Sequence, residues 1–290
     1  MAPPRPRAKK GLPGSPSHRK AGAASGSGQR PANRGRQKPQ WARLAPVYDV
    51  DGPRIRLGVL WFAAALPAIA LSTTTTAMLY AVVAGLAARQ VAMAWRTEQW
   101  QADAAAGVAA VPVLASLLGA GTGVTVLVIA GLAALGIGLA APSAGLRGST
   151  GHIASAGIML QATAPVAFAG VSMVAVRSEI LIAALLVFVL VSAYEMGDFL
   201  VGSGSSNPVE GPMAGGVAVV VTGFPMALLL IEPFDVMGVA MLGVAAVCCP
   251  VGQWIASGVL PTPGAHAPAL RRMDTLLLLA PLWAIAVNAL

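Results

Sequence analysis

From Leu57 to Ala88 the chain carries no charged side chain, and from Ala104 to Leu146 it again carries none. Runs of that length leave few options. A helical membrane crossing takes ~20 apolar residues, and in the hydrocarbon every backbone N–H and C=O must find its partner inside the protein. Each run is too long for one crossing and suits two. Pro67 and Ser72-Thr-Thr-Thr-Thr76 mark the first division, with the second helix running on towards Trp95. Gly119-Ala-Gly-Thr-Gly123 marks the second division. Further apolar segments lie at 152–176, 180–196, 212–231, 236–257 and 273–290, the first of them the least hydrophobic. The expectation is an all-α, polytopic transmembrane helical protein with about nine spans, occupying residues 56–290.

Charge supports this. Only 10% of the residues are charged, where a soluble domain carries roughly a quarter, and the mean hydropathy is +0.73. Residues 1–56 hold thirteen of the nineteen Lys and Arg but only two acids, Asp49 and Asp51, so the net charge of +8 belongs to the N-terminal end. Residues 1–55, rich in Pro, Gly, Ser and Ala, cannot bury enough apolar surface to offset their ordering entropy. They read as a disordered, basic, cytoplasmic tail whose task is to stay inside. The alternative is a tether, each Lys or Arg near an anionic leaflet being worth ~1 kcal/mol; the partner expected is anionic lipid and not nucleic acid. Trp41 and Tyr48 suit the interface.

With the tail inside and nine crossings, segments 96–103, 142–151, 197–211 and 258–272 face the cytoplasm. They contain Arg96, Arg147, Arg271 and Arg272, with Arg89 close by, whereas the opposite side receives Arg177 alone among basic residues. This agrees with the positive-inside rule and predicts an integral protein of the plasma membrane with a cytoplasmic N-terminus. Cys248 and Cys249 are neighbours in an apolar helix, about 100° apart in direction, which suits neither a disulfide nor a shared metal. They read as packing residues. The small-residue face Gly131-Leu-Ala-Ala-Leu-Gly136 permits close helix packing, within one chain or in a homodimer.

Two connections are unusual. Glu195, Asp198 and Glu210 surround the end of a very apolar helix, followed by the Gly- and Ser-rich stretch 202–206. Ionisable groups at membrane depth are expensive and usually face a wet, functional cavity. Open backbone amides in such a loop, with Pro212 opening the next helix, suit phosphate oxygens. A solvated turn with acids at a helix end is the plain alternative. In the second connection, Asp274 begins an otherwise uncharged helix. Capping accounts for it, as a surface position accounts for His266; the functional alternative is a divalent cation on Asp274 and phosphates on His266 and Arg272.

Together these segments resemble the phosphatidate cytidylyltransferase (CDP-diacylglycerol synthase) family. Gly252 and Ser257 keep the spacing of its G-D-x-x-E-S element. Pro263-Gly-Ala-His266 is similar to its Pro-Gly-His element with one residue inserted, and Arg272-Met-Asp274-Thr-Leu-Leu-Leu-Leu-Ala-Pro281 follows its ending. Upstream, Glu195-Met-Gly-Asp-Phe-Leu-Val-Gly202 and Asn207-Pro-Val-Glu-Gly211 resemble its D-x-G-A-Y-x-x-G and shortened S-P-x-K-T-x-E-G segments. The resemblance implies a nucleotidyltransferase of phospholipid biosynthesis, converting CTP and phosphatidate to CDP-diacylglycerol and pyrophosphate. It implies Asp274, His266, Arg272 and Ser257 as the catalytic set, with Asp274 the ligand of Mg²⁺. Glu195, Asp198, Gly202, Asn207, Glu210 and Gly211 would line the nucleotide and substrate side.

The chain departs from the pattern. Arg271 stands where the family has an acid before Arg272, Gln253 where it has Asp, Ala256 where it has Glu, and Ala267-Pro268 where it has Gly-Gly. The Lys-Arg and Lys-Asp segment after Ser257 is missing. This describes a divergent branch. Two other readings stay open: a catalytically degenerate relative that binds a lipid or a partner, and a small-solute transporter, for which the chain shows no internal repeat.

Overall fold

The computed structural model describes residues 54–142, 149–229, 238–262 and 264–287. The basic tail therefore lies outside the described residues up to position 53, as do the outer ends of the segments expected at 212–231, 236–257 and 273–290. Among the described residues there are nine α-helices and no strand: α1 (Arg54–Leu71), α2 (Thr73–Ala94), α3 (Gln99–Ala115), α4 (Ala120–Ala140), α5 (Ser149–Glu179), α6 (Leu181–Gly202), α7 (Glu210–Leu228), α8 (Gly238–Val259) and α9 (Leu276–Ala286). Seven of them, α2 to α8, are long and apolar enough to cross a membrane. The apolar part of α1, Gly58–Leu71, and α9 are shorter. This is an integral membrane protein.

Helix ends are where such a bundle has polar groups to satisfy, because the last carbonyls of each helix have no partner within it. The break between α1 and α2 is confined to Ser72, whose extended backbone (φ −162°, ψ 162°) turns the chain. Ser72 Oγ accepts from Thr75 N (3.0 Å) and Thr75 Oγ1 accepts from Ser72 N (3.2 Å), a reciprocal capping box. The threonines also serve the end of α1: the hydroxyls of Thr75 and Thr76 lie 2.6 and 3.1 Å from the Ala68 carbonyl. Arg177, the basic residue expected alone on its side, donates to the Ile69 carbonyl (2.5 Å) and the Ala70 carbonyl (3.5 Å). Its charge closes the C-terminus of α1, where a cation is favoured.

The end of α4 is closed in the same way. Buried Gln101 of α3 donates to the carbonyls of Ala141 (2.9 Å) and Ile137 (3.3 Å), and Ser155 of α5 donates to Ala141 (3.1 Å). Between α3 and α4 a 3-10 turn, Ser116–Leu118, leads into Gly119 at φ +126°, a conformation that glycine alone adopts without strain.

The helix at the centre is α5, which packs against α2, α3, α4, α6 and α9. Within its span 72% of the residues are buried, against 22% for α4. Because α5 faces protein, Ser155, Thr163 and Ser172 are tolerated, their hydroxyls donating to the carbonyls of Ala141, Met159 and Phe168. Meanwhile α4, the most apolar of the seven long helices, turns Val128, Ile129 and Leu132 outwards. The two meet backbone to backbone, since a Cβ on Gly138 would lie 2.3 Å from Ala156 Cα.

Candidate functional site

The final third of α6 carries Tyr194, Glu195 and Asp198. Tyr194 and Asp198, four residues apart, share one helix face, and both reach Gln253 of α8. The Tyr194 hydroxyl donates to Gln253 Oε1 (3.0 Å), and Gln253 Nε2 donates to Asp198 Oδ2 (3.1 Å). One turn further along α8, Ser257 Oγ accepts from Arg271 Nη1 (3.1 Å). Tyr194, Asp198, Gln253 and Ser257 are buried, Asp198 to 3% exposure and Gln253 to 4%, while Glu195 and Arg271 are partly exposed.

Arg271 and Arg272 stand on a 3-10 turn, Leu270–Arg272, that leads towards α9. They are adjacent in sequence yet reach different neighbours. Arg271 Nη1 lies 3.7 Å from Asp274 Oδ2, while Arg272 Nη1 lies 3.8 Å from Glu195 Oε2 on α6. Both separations exceed a hydrogen bond, so these ion pairs are loose. The other oxygen of Asp274 accepts from the Thr275 amide (2.7 Å). Just before this segment the Ala269 amide donates to Gln90 Oε1 of α2 (2.9 Å), and Trp95 at the end of α2 donates its Nε1–H to the Val259 carbonyl of α8 (2.7 Å). Gly252 allows the approach, because a Cβ there would sit 2.3 Å from the Asp274 carbonyl oxygen.

The result is a polar cluster between α6, α8 and residues 270–275. It unites two segments that lie far apart in the chain. Burying ionised groups in a low-dielectric interior requires hydrogen bonds or opposite charges beside them, and each carboxylate here has one or the other. Of the expected site residues, Glu195, Asp198, Ser257, Arg272 and Asp274 come together. The helix containing Asp274 as its expected start begins two residues later, at Leu276.

The remaining expected residues lie elsewhere. His266 is exposed, away from the hydrogen bonds that define the cluster. Asn207 and Glu210 are exposed and serve their own loop: the Ser205 hydroxyl donates to Glu210 Oε2 (2.5 Å) and accepts from Asn207 N, and Asn207 Oδ1 accepts from Val209 N (3.2 Å). Gly202 and Gly211 are buried at the two ends of this connection. Residues absent from the expected set are central: Gln253 links α6 to α8, Tyr194 holds Gln253, and Arg271 holds Ser257. The spacing of Gln253 and Ser257, four residues apart on α8, was the available signal.

The donor set does not fit a carboxylate-held Mg²⁺. The acid expected beside Arg272 is a guanidinium, which lies on Asp274, and Glu195 faces the guanidinium of Arg272. Among the described residues no group of three or more His, Cys, Asp or Glu side chains could hold a metal ion. Neither the protein-family models nor the curated proteins compared with this chain give a match.

Proposed function

We propose that this protein is a divergent membrane protein of the phosphatidate cytidylyltransferase type, joining CTP to phosphatidate with release of pyrophosphate. One observation carries the reading: the two segments that resemble the family's motifs meet in a single, largely buried polar cluster. A helical bundle built for packing alone has no use for three carboxylates, two guanidiniums and an amide side chain gathered where its helices end. In the reaction an oxygen of the lipid phosphate attacks the α-phosphorus of CTP, and the bond to the pyrophosphate oxygen breaks. The chain's own contribution is positioning and positive charge. Arg271, on Ser257 and Asp274, and Arg272, beside Glu195, supply that charge, and guanidinium suits phosphate well.

The distribution of Arg residues supports a cytoplasmic N-terminus and an opening of the cluster towards the cytoplasm, the side on which CTP is available, in the plasma membrane. A second reading is favoured by the arginine on Asp274: a catalytically silent relative that holds a lipid phosphate through Arg271 and Arg272. Purified protein in phosphatidate-containing micelles, given labelled CTP and Mg²⁺, separates the two. The expected result is CDP-lipid from the wild type and none from Asp274→Ala or Arg272→Ala. Phosphatidate binding without product would favour the silent relative, and the absence of both would end both readings.

A further inference from the structure

We propose that the apolar groove between α8 and α9 holds an acyl chain of the lipid whose phosphate is handled at the polar cluster. The inference rests on the reading of that lipid as phosphatidate and assigns a place to its hydrocarbon part.

The groove is lined by Met241 and Val244 of α8 and by Leu279, Leu282, Trp283 and Ala286 of α9, and it has a volume of about 270 Å³. Leu279 and Trp283 are buried and form its floor, whereas Val244 and Leu282 are exposed at its edges. Every lining side chain is apolar or aromatic, and an apolar cavity of about 150 Å³ already takes up benzene. The shape selects among apolar occupants. From Leu279 to Ala286 the groove follows α9 for seven residues, about 10 Å. Its volume over that length gives a width of about 6 Å. A helix with its side chains is about 10–12 Å across and is too wide to enter. A single extended hydrocarbon chain is not.

Position ties the groove to the cluster. The two helices come together where Gly252 of α8 meets the backbone of Asp274, just before α9. Asp274 lies beside Arg271, which reaches Ser257, so this junction belongs to the cluster. The chain runs towards the junction along α8 and away from it along α9. Val244 stands eight residues before Gly252, and Leu282 eight residues after Asp274. Both edges of the groove are thus ~12 Å from the junction, and the α9 side of the groove extends about 8–18 Å from it. One leaflet of a ~30 Å hydrocarbon core is ~15 Å deep. An acyl chain hanging from a phosphate at the cluster therefore has the groove along its path. A second apolar groove, of about 320 Å³ beside Leu127 and Phe168, lies between α4 and α5. Neither of those helices contributes to the cluster.

The test is photolabelling of the full chain in neutral detergent micelles. The probe is phosphatidate with a diazirine midway along one palmitoyl chain, and the labelled peptides are read by mass spectrometry. Labels are expected on the peptides that carry Val244 and Leu282. An excess of unlabelled phosphatidate should reduce them about tenfold, while phosphatidylcholine leaves them unchanged. Val244→Trp, which fills the groove from its exposed edge, should remove the same labels; Ala164→Trp, in the groove between α4 and α5, should not. Labels that phosphatidylcholine competes equally, or that Val244→Trp leaves in place, would mean bulk lipid and overturn the proposal. Saturable phosphatidate binding with its labels elsewhere would also overturn it and leave the functional reading standing. Phosphatidate that does not bind saturably to the wild type would end both.

Discussion

Replacing Gly252 by Ala tests the junction on which the site depends. The Cβ added there would be 2.3 Å from the Asp274 carbonyl oxygen and 3.3 Å from Thr275 Cα, and real Cβ contacts essentially never fall below 3.0 Å. The obstructing atom is backbone and cannot rotate away, so residues 274–275 must retreat by at least the difference, about 0.7 Å. Overpacking of this kind costs ~1–3 kcal/mol. It is partly hidden by the gain of ~1 kcal/mol that alanine brings to a helix over glycine. Gly243→Ala, on the same helix with open space around it, brings the helix gain alone, so the difference between the two variants isolates the contact. The assay is thermal unfolding in detergent followed with a thiol-reactive fluorophore, since Cys248 and Cys249 are buried until the bundle opens. Gly252→Ala is expected to melt several degrees below Gly243→Ala. On the proposed function, CDP-lipid formation or phosphatidate binding should fall as well, because the displacement carries Asp274 and its contact with Arg271. Coincident melting of the two variants would refute the close approach of α8 to residues 274–275.

Three further outcomes follow from the contacts described. Gly138→Ala forces α4 off Ala156 and should melt several degrees below Gly136→Ala, which meets open space; equal melting would contradict that crossing. Arg177→Leu leaves the carbonyls at the end of α1 without their guanidinium, so amide hydrogen exchange should quicken across residues 69–76 while α4 and α8 are unchanged. Gln253→Leu removes two buried hydrogen bonds, to Tyr194 and Asp198, and should cost ~1–3 kcal/mol. Combined with Tyr194→Phe it should cost less than the sum of the two single changes, since both sever one link; strict additivity would argue against the link.

Much of the secondary structure was legible in the residues themselves. An uncharged run of the right length has little alternative to helix in lipid, and Ser72 and Gly119 announce turns by local chemistry alone. The resemblance of residues 194–211 and 252–281 to one family also located the two segments that meet. It did not say which of their residues would take part. Asn207 and Glu210 match the pattern as well as Asp198 does, yet a loop's own hydrogen bonds use them, and His266 is left at the surface.

What the sequence determined by itself is thus the run of helices, their main breaks and the scarcity of charge that commits them to a membrane. The rest was decided by tertiary structure. Hydropathy averages a segment over all its faces, so it does not reveal that the fifth helix is central and surrounded by protein while the fourth turns most of its residues outwards. The position of Arg177 in the chain gives no hint that it closes a helix more than a hundred residues earlier. Glu195 gains Arg272 because α6 and the 270–275 segment pack together. Such partners are set by which helix faces meet in space, and no window along the chain contains that information.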